Sequence, residues 1–283
     1  MRDFRNKVAV ITGAGAGIGR ALALELARRG AKLALSDIDT DTVADTAGRC
    51  EKLGATAIAH QLDVAHRAAV YAHADDVRGE FGQVNLVINN AGVALNAYVE
   101  DMEWADFDWL MNINFWGVAH GTKAFLPDLI ASGDGHVVNV SSVFGFIGVP
   151  SQSAYNAAKF AVRGFTEALR QEMRINGHPV GVTCVHPGGV KTEIAVHARG
   201  IPESADIELL RSGWDAMALT KPSSAARIIL RGVEKNKARV LIGADARGFD
   251  LLPRVLGASY ADLGAPLYRW TRRAARDRYG LEW

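Results

Sequence analysis

Residues 7–22 read KVAVITGAGAGIGRAL, and the fold turns on this stretch. Lys7–Ile11 is an apolar run of strand length. A glycine-rich turn, TGAGAGIG at 12–19, follows at once. Gly17–Arg29 then sets Leu22, Leu26 and several alanines on one side and ends in two arginines, the pattern of an amphipathic helix. Glycines in such a turn let the backbone approach a pyrophosphate closely, and a helix N-terminus offers free N–H groups and a favourable dipole. Glycine also suits any tight strand-to-helix turn, so the surroundings decide. Asp37 closes the next strand, twenty residues beyond Gly17. At that spacing a carboxylate can accept hydrogen bonds from the adenosine ribose hydroxyls. It would repel a 2′-phosphate, and no base adjoins it: Ala16 precedes Gly17 and Ile38 follows the acid. NAD is expected over NADP.

The same rhythm continues. Lys32–Ser36, Thr56–Leu62, Val84–Asn89, His136–Val140, Val180–Val185 and Ala238–Ile242 read as strands. Ala105–Ile130, Ser151–Ile175 and Pro222–Glu234 read as helices. Alternation of this kind predicts an α/β fold, a doubly wound parallel sheet of about seven strands in the order 3-2-1-4-5-6-7. No repeat or break in composition divides the chain, so residues 1–283 read as one domain.

Composition narrows the function. A net charge of +1 gives no electrostatic case for nucleic acid. Cys50 and Cys184 form no CxxC, and the eight histidines show no ligand spacing, so neither a disulfide framework nor a metal is expected. Without a leader-like or membrane-length apolar segment, a reducing, cytoplasmic setting is expected.

In SAYNAAKF, 153–160, a phenol and an ammonium stand four residues apart. On a helix, Tyr155 and Lys159 share a face. A nearby cation favours phenolate over a phenol whose ordinary pKa is about 10, making a general base or acid. Alone, the pair is commonly a surface feature. Its company is more telling: Asp63 in LDV, NNAG at 89–92, Asn114 in NINFWG, Ser142 in NVSS and PGGVKT at 187–192.

With these motifs in order from Lys7 to about Ile242, the chain resembles the short-chain dehydrogenase/reductase family, a group of Rossmann-type oxidoreductases. The resemblance implies a catalytic set of Asn114, Ser142, Tyr155 and Lys159. Ser142 would hold the substrate oxygen for Tyr155, Lys159 would also bond the nicotinamide ribose, and Asn114 would hold a water in a proton relay. The cofactor would be held by Gly13, Gly15, Gly17, Ile18, Gly19 and Asp37, by Asp63 and Val64 at adenine, and by Asn90, Ala91 and Gly92. Tyr155, Lys159, Pro187, Gly188, Val190 and Thr192 would complete its site. His186 departs from the family, which more often has Asn before this Pro-Gly. Assembly as a homodimer or homotetramer is also implied.

Residues 190–220 interrupt the rhythm and match the family's substrate lid in position. Ile194, Val196, Leu209, Leu210, Trp214 and Met217 are candidate roof residues, with Val93 to Leu95, Val143, Phe144, Phe146 and Ile147 as walls. Of these, Val93, Phe144, Ile194 and Trp214, with Ser142, are the expected substrate contacts. They suit a hydrophobic secondary alcohol or ketone. Residues 243–283 form an extension mixing apolar and basic residues. It would cover the pocket or a neighbouring subunit, lie as a solvated amphipathic helix, or touch an anionic membrane. Two other functions are compatible with the fold: a non-catalytic NAD-binding sensor or scaffold, and a dehydratase or isomerase with tightly held NAD.

Overall fold

All five residues of VAVIT are buried, as expected for a central strand covered on both faces. The computed structural model describes residues 1–201, 206–266 and 268–269. Its strands are β1 (Val8–Thr12), β2 (Lys32–Asp37), β3 (Ala57–Gln61), β4 (Leu86–Asn89), β5 (Gly135–Val140), β6 (Val180–Pro187) and β7 (Arg239–Ile242). They form one sheet in the order β3-β2-β1-β4-β5-β6-β7, every neighbouring pair parallel. This is the expected class and order.

The helices are α1 (Gly17–Arg28), α2 (Thr40–Glu51), α3 (Arg67–Phe81), α4 (Trp104–Met111), α5 (Gly117–Ala131), α6 (Ser153–Ile175), α7 (Ile207–Met217), α8 (Pro222–Glu234) and α9 (Ala244–Leu256). α1, α2 and α8 cover one face through Leu22, Val43 and Ile229; α3, α5 and α6 cover the other through Val77, Phe125 and Leu169. Each fully buried side chain of this size contributes about 1.5–3 kcal/mol.

Three elements differ from expectation. α2 was not legible as a helix: its Thr- and Asp-rich sequence hides a short stripe, Val43, Ala47 and Cys50. Asp39 starts it by accepting a hydrogen bond from Thr42 N at 3.0 Å. The single helix expected over Ala105–Ile130 is instead α4 and α5 joined by a π turn, Asn112–Trp116. Finally, α9 follows β7 directly.

Three histidines are buried in neutral form. Burial lowers His73 and His186 to about 4 and His136 to about 3. Unfolding returns each to about 6.5, so the unfolded chain binds more protons below that pH. Stability is therefore full above pH 6.5 and lost as pH falls, by about 1.4 kcal/mol per pH unit for each histidine between its two pKa values. Thermal scans from pH 7 to 4.5 should show a steep decline in Tm. His73→Phe should flatten it, and an unaltered slope would remove His73 from the explanation.

Candidate active site

Order in the sheet reverses between β1 and β4, and the glycine turn opens at that point. Gly13 adopts φ +64°, which favours glycine. A Cβ on Gly19 would stand 2.0 Å from the Gly13 carbonyl oxygen, so the turn has no room for a side chain there. The NNAG segment holds the turn from the other side. Asn90 Nδ2 donates to the carbonyls of Thr12 and Gly13 at 3.0 and 3.1 Å, while Thr12 Oγ1 accepts from the amides of Asn90 and Ala91. Gly92 adjoins Asn114 Oδ1 and Lys159 Nζ, so the same segment also reaches the catalytic set.

The turn fits a dinucleotide. No side chain caps the α1 N-terminus and its first turn holds no acid, so its N–H groups suit an anion. Asp37 Oδ2 accepts from Gly15 N at 2.8 Å, placing the carboxylate at the turn. Thr192 lies against Gly17, where an added Cβ would be 3.0 Å from its methyl. Ile18 packs on the core, as does Val190, which pairs with Thr220. Pro187 ends β6, and Gly188 N donates to Ile242 O at 2.9 Å. Val64 is buried against Gly117, and Asp63 Oδ1 accepts from Ala65 N at 2.9 Å.

α6 begins directly beneath the end of β5 and brings Tyr155 and Lys159 to Ser142. Lys159 Nζ donates to Val140 O at 3.1 Å and lies 5.5 Å from the Tyr155 ring centre. Ser141 Oγ donates to Lys159 O at 2.8 Å, tying this turn of α6 to β5. Ser142 Oγ accepts from Phe144 N at 3.1 Å, which leaves its hydroxyl proton available to donate. Asn114, fully buried in the π turn, spends its side chain on the Val93 backbone at 2.8 and 2.9 Å. Any relay through Asn114 must therefore use its main-chain carbonyl, where the π turn interrupts regular helical bonding.

The electrostatics correct one expectation. Burial pushes the Tyr155 phenol up to about 12, while hydrogen bonding with Ser142 pulls it down. Burial also lowers Lys159 to about 8. Lys159 alone thus does not make the phenol acidic, because desolvation of the phenolate outweighs what this neighbour supplies.

The substrate end also sorts differently. Phe146 and Ile147 are buried, and Phe146 stacks on His186 at 4.1 Å between ring centres. Phe144 meets the Tyr155 ring edge-on at 6.1 Å. Val93, Ile194 and Trp214 are half-buried, and the Trp214 indole nitrogen is buried with no hydrogen-bond partner among the described residues. Met217 is 71% exposed.

Three residues were missed or underrated by sequence. Asn156 accepts from Val149 N and donates to the carbonyls of Phe144 and Ile147, clamping the loop between Ser142 and Tyr155. Asp245 accepts from Gly189 N at 2.7 Å. His186 Nδ1 lies 2.9 Å from Ser142 O, which makes it a donor to the serine's own backbone. A buried polar type beside the YxxxK pair was the available signal for Asn156.

A family model for short chain dehydrogenases matches residues 7–202. The chain belongs to the short-chain dehydrogenase family. Like other members it is an oxidoreductase on a Rossmann-type sheet. It is 56% identical over 266 residues to SadH of Mycobacterium tuberculosis, named as an oxidoreductase, covering 94% of this chain and 96% of that protein. A short-chain dehydrogenase/reductase from Burkholderia phymatum, solved in complex with NAD, shares 31% identity with a TM-score of 0.83, over 90% of this chain and 95% of that one. An alcohol dehydrogenase from Thermococcus sibiricus, complexed with 5-hydroxy-NADP, shares 29% identity with a TM-score of 0.70, over 84% of this chain and 95% of that one. These two solved relatives of this short-chain dehydrogenase thus hold NAD and an NADP derivative respectively. No helix among its described residues is long and apolar enough to cross a membrane.

Proposed function

We propose that this short-chain dehydrogenase uses NAD to interconvert a hydrophobic secondary alcohol and its ketone, with Tyr155 as general base and acid. The observation that carries this reading is the meeting of Tyr155, Ser142 and Lys159 at the end of β5, beside the glycine turn. Bound NAD would supply the hydride acceptor for the carbinol carbon. Ser142 donates its hydroxyl proton to the substrate oxygen and fixes it against Tyr155. Tyr155 takes the alcohol proton in oxidation and returns one to the carbonyl oxygen in reduction. Lys159, held by Val140 O, keeps a cation beside the phenolate. The half-buried apolar residues Val93, Phe144, Ile194 and Trp214 favour an apolar substrate body.

Asp37 and its surroundings support NAD. Arg20, on α1, is already engaged by Thr46, the Thr42 carbonyl and Asp45. Residues 190–220 act as the substrate lid within a single domain. Trp104, Trp116 and Phe160 lie exposed along α4, the π turn and α6, which favours a homodimer or homotetramer joined through that face. Two buried free thiols, Cys50 and Cys184, support a reducing, cytoplasmic setting.

A screen of secondary alcohols with NAD, read as NADH absorbance, tests the reaction. Aliphatic and aromatic alcohols should give turnover. Turnover confined to sugars would defeat the substrate class, and NADH from no alcohol at all would defeat the oxidoreductase reading.

A further inference from the structure

The family model ends at residue 202, yet residues well beyond it reach back to the centre of the site. α9 is fixed at its start by Asp245, through Gly189 N, and along its length by Asp250, which pairs with Arg239 at 2.7 Å and Arg254 at 3.0 Å. The chain then turns at Gly257, and residues 259–266 are helical. From this segment the Tyr260 hydroxyl accepts a hydrogen bond from Gly148 N at 2.9 Å. Tyr268 OH lies 3.2 Å from Ser151 Oγ.

Gly148 and Ser151 belong to the loop that joins Ser142 to Tyr155. Residues 148–151 belong to no helix or strand. Asn156 holds the loop from the α6 side, at Val149 N and at the Phe144 and Ile147 carbonyls. Ser151 is kept at φ +61°, a left-handed conformation uncommon for a residue with a side chain, two residues before α6 begins. Such a conformation persists only where its surroundings enforce it. Here they do so from both sides: Ser151 O accepts from Ala97 N at 3.0 Å, and its hydroxyl meets Tyr268. This turn leads into α6, which carries Tyr155.

We propose that the segment beyond Gly257, through Tyr260 and Tyr268, straps the substrate loop, and that these two tyrosines are positioning residues that set substrate fit by holding Gly148 and Ser151. The proposal rests on the alcohol dehydrogenase reading for its effect on turnover, but not for the contacts themselves. Their hydrogen bonds to Gly148 and Ser151 fall on the loop between Ser142 and Tyr155 and not on the glycine turn, so the strap acts on the substrate side and leaves NAD binding alone.

The test uses the full chain with NAD bound and three variants: Tyr260→Phe, Tyr268→Phe and the double substitution. Each change removes a hydroxyl and keeps the ring, so the fold is retained. Amide hydrogen exchange of the peptide spanning 148–152 should accelerate about tenfold in the double variant, the effect of losing hydrogen bonds worth about 1.4 kcal/mol in all. KM for bulky alcohols should rise about three- to tenfold, kcat should fall less, and NAD affinity should stay within about twofold. Unchanged exchange at 148–152 would overturn the strap. So would faster exchange with KM and kcat unaltered for every alcohol that the unmodified protein oxidises. If the unmodified protein oxidises none, the alcohol dehydrogenase reading fails, and the exchange measurement still decides whether the strap holds the loop.

Discussion

Tyr155→Phe is expected to lower kcat by about 10²–10⁴-fold, the range of a lost general acid or base, with NAD affinity nearly unchanged. The substitution deletes one oxygen. The ring keeps its edge-on contact with Phe144 and its place beside Lys159, so loss of packing does not enter. What disappears is the acceptor for the alcohol proton. Ser142 does not replace it, because its oxygen already accepts from Phe144 N and a serine hydroxyl is a far weaker base than phenolate. NADH formation and calorimetric titration of NAD separate the two effects, and near-normal kcat would remove Tyr155 from its role. The pH profile of the intact protein gives a second reading. With the phenol near 12 and Lys159 near 8, the productive pair of phenolate and ammonium is a minor population. That population grows about tenfold per pH unit below the lysine's pKa and levels off above it, because phenolate gained is then matched by ammonium lost. Oxidation of alcohol should therefore rise with pH and then plateau. The positive charge of bound NAD moves both values and keeps the shape.

The sheet was legible because its signals are local. VAVIT, the glycine turn and Asp37 each declare themselves within a few residues, and parallel connection by helices leaves few ways to arrange the strands. Tyr155 and Lys159 were legible because two large polar groups stand out among small residues. Other features depend on direction and environment. Phe144 and Phe146 look alike in sequence, yet one faces Tyr155 and the other stacks on His186. Asn114 signalled a disturbed helix, but periodicity does not distinguish a π turn from regular helix, so its bonds to Val93 were hidden. Sequence also places a cation near Tyr155 without telling how much water the phenol loses, so it does not give the balance between desolvation and neighbouring charge. The reach of Tyr260 to Gly148 spans 112 residues, and no local pattern encodes it.

Cofactor choice offers the other large effect. Asp37→Ala should lower kcat/KM for NAD by about 10²-fold, since two ribose hydroxyls lose a charged acceptor at about 1.5 kcal/mol each. The same change should raise kcat/KM for NADP, because a negative charge no longer faces the 2′-phosphate. Asp37 also accepts from Gly15 N, so the alanine variant loosens the glycine turn as well as the ribose site. Asp37→Asn separates these contributions: its side-chain oxygen can still accept from Gly15 N, while the charge is gone. It should lose less NAD activity than the alanine variant and gain as much with NADP. Adding Ile38→Arg to it places a cation at a position that is 62% exposed, free to pair with a phosphate, and should carry the preference over to NADP. Steady-state kinetics with both cofactors measures each step. A native preference for NADP, or an asparagine variant that discriminates as sharply as the intact protein, would show that the Asp37 charge does not govern the choice.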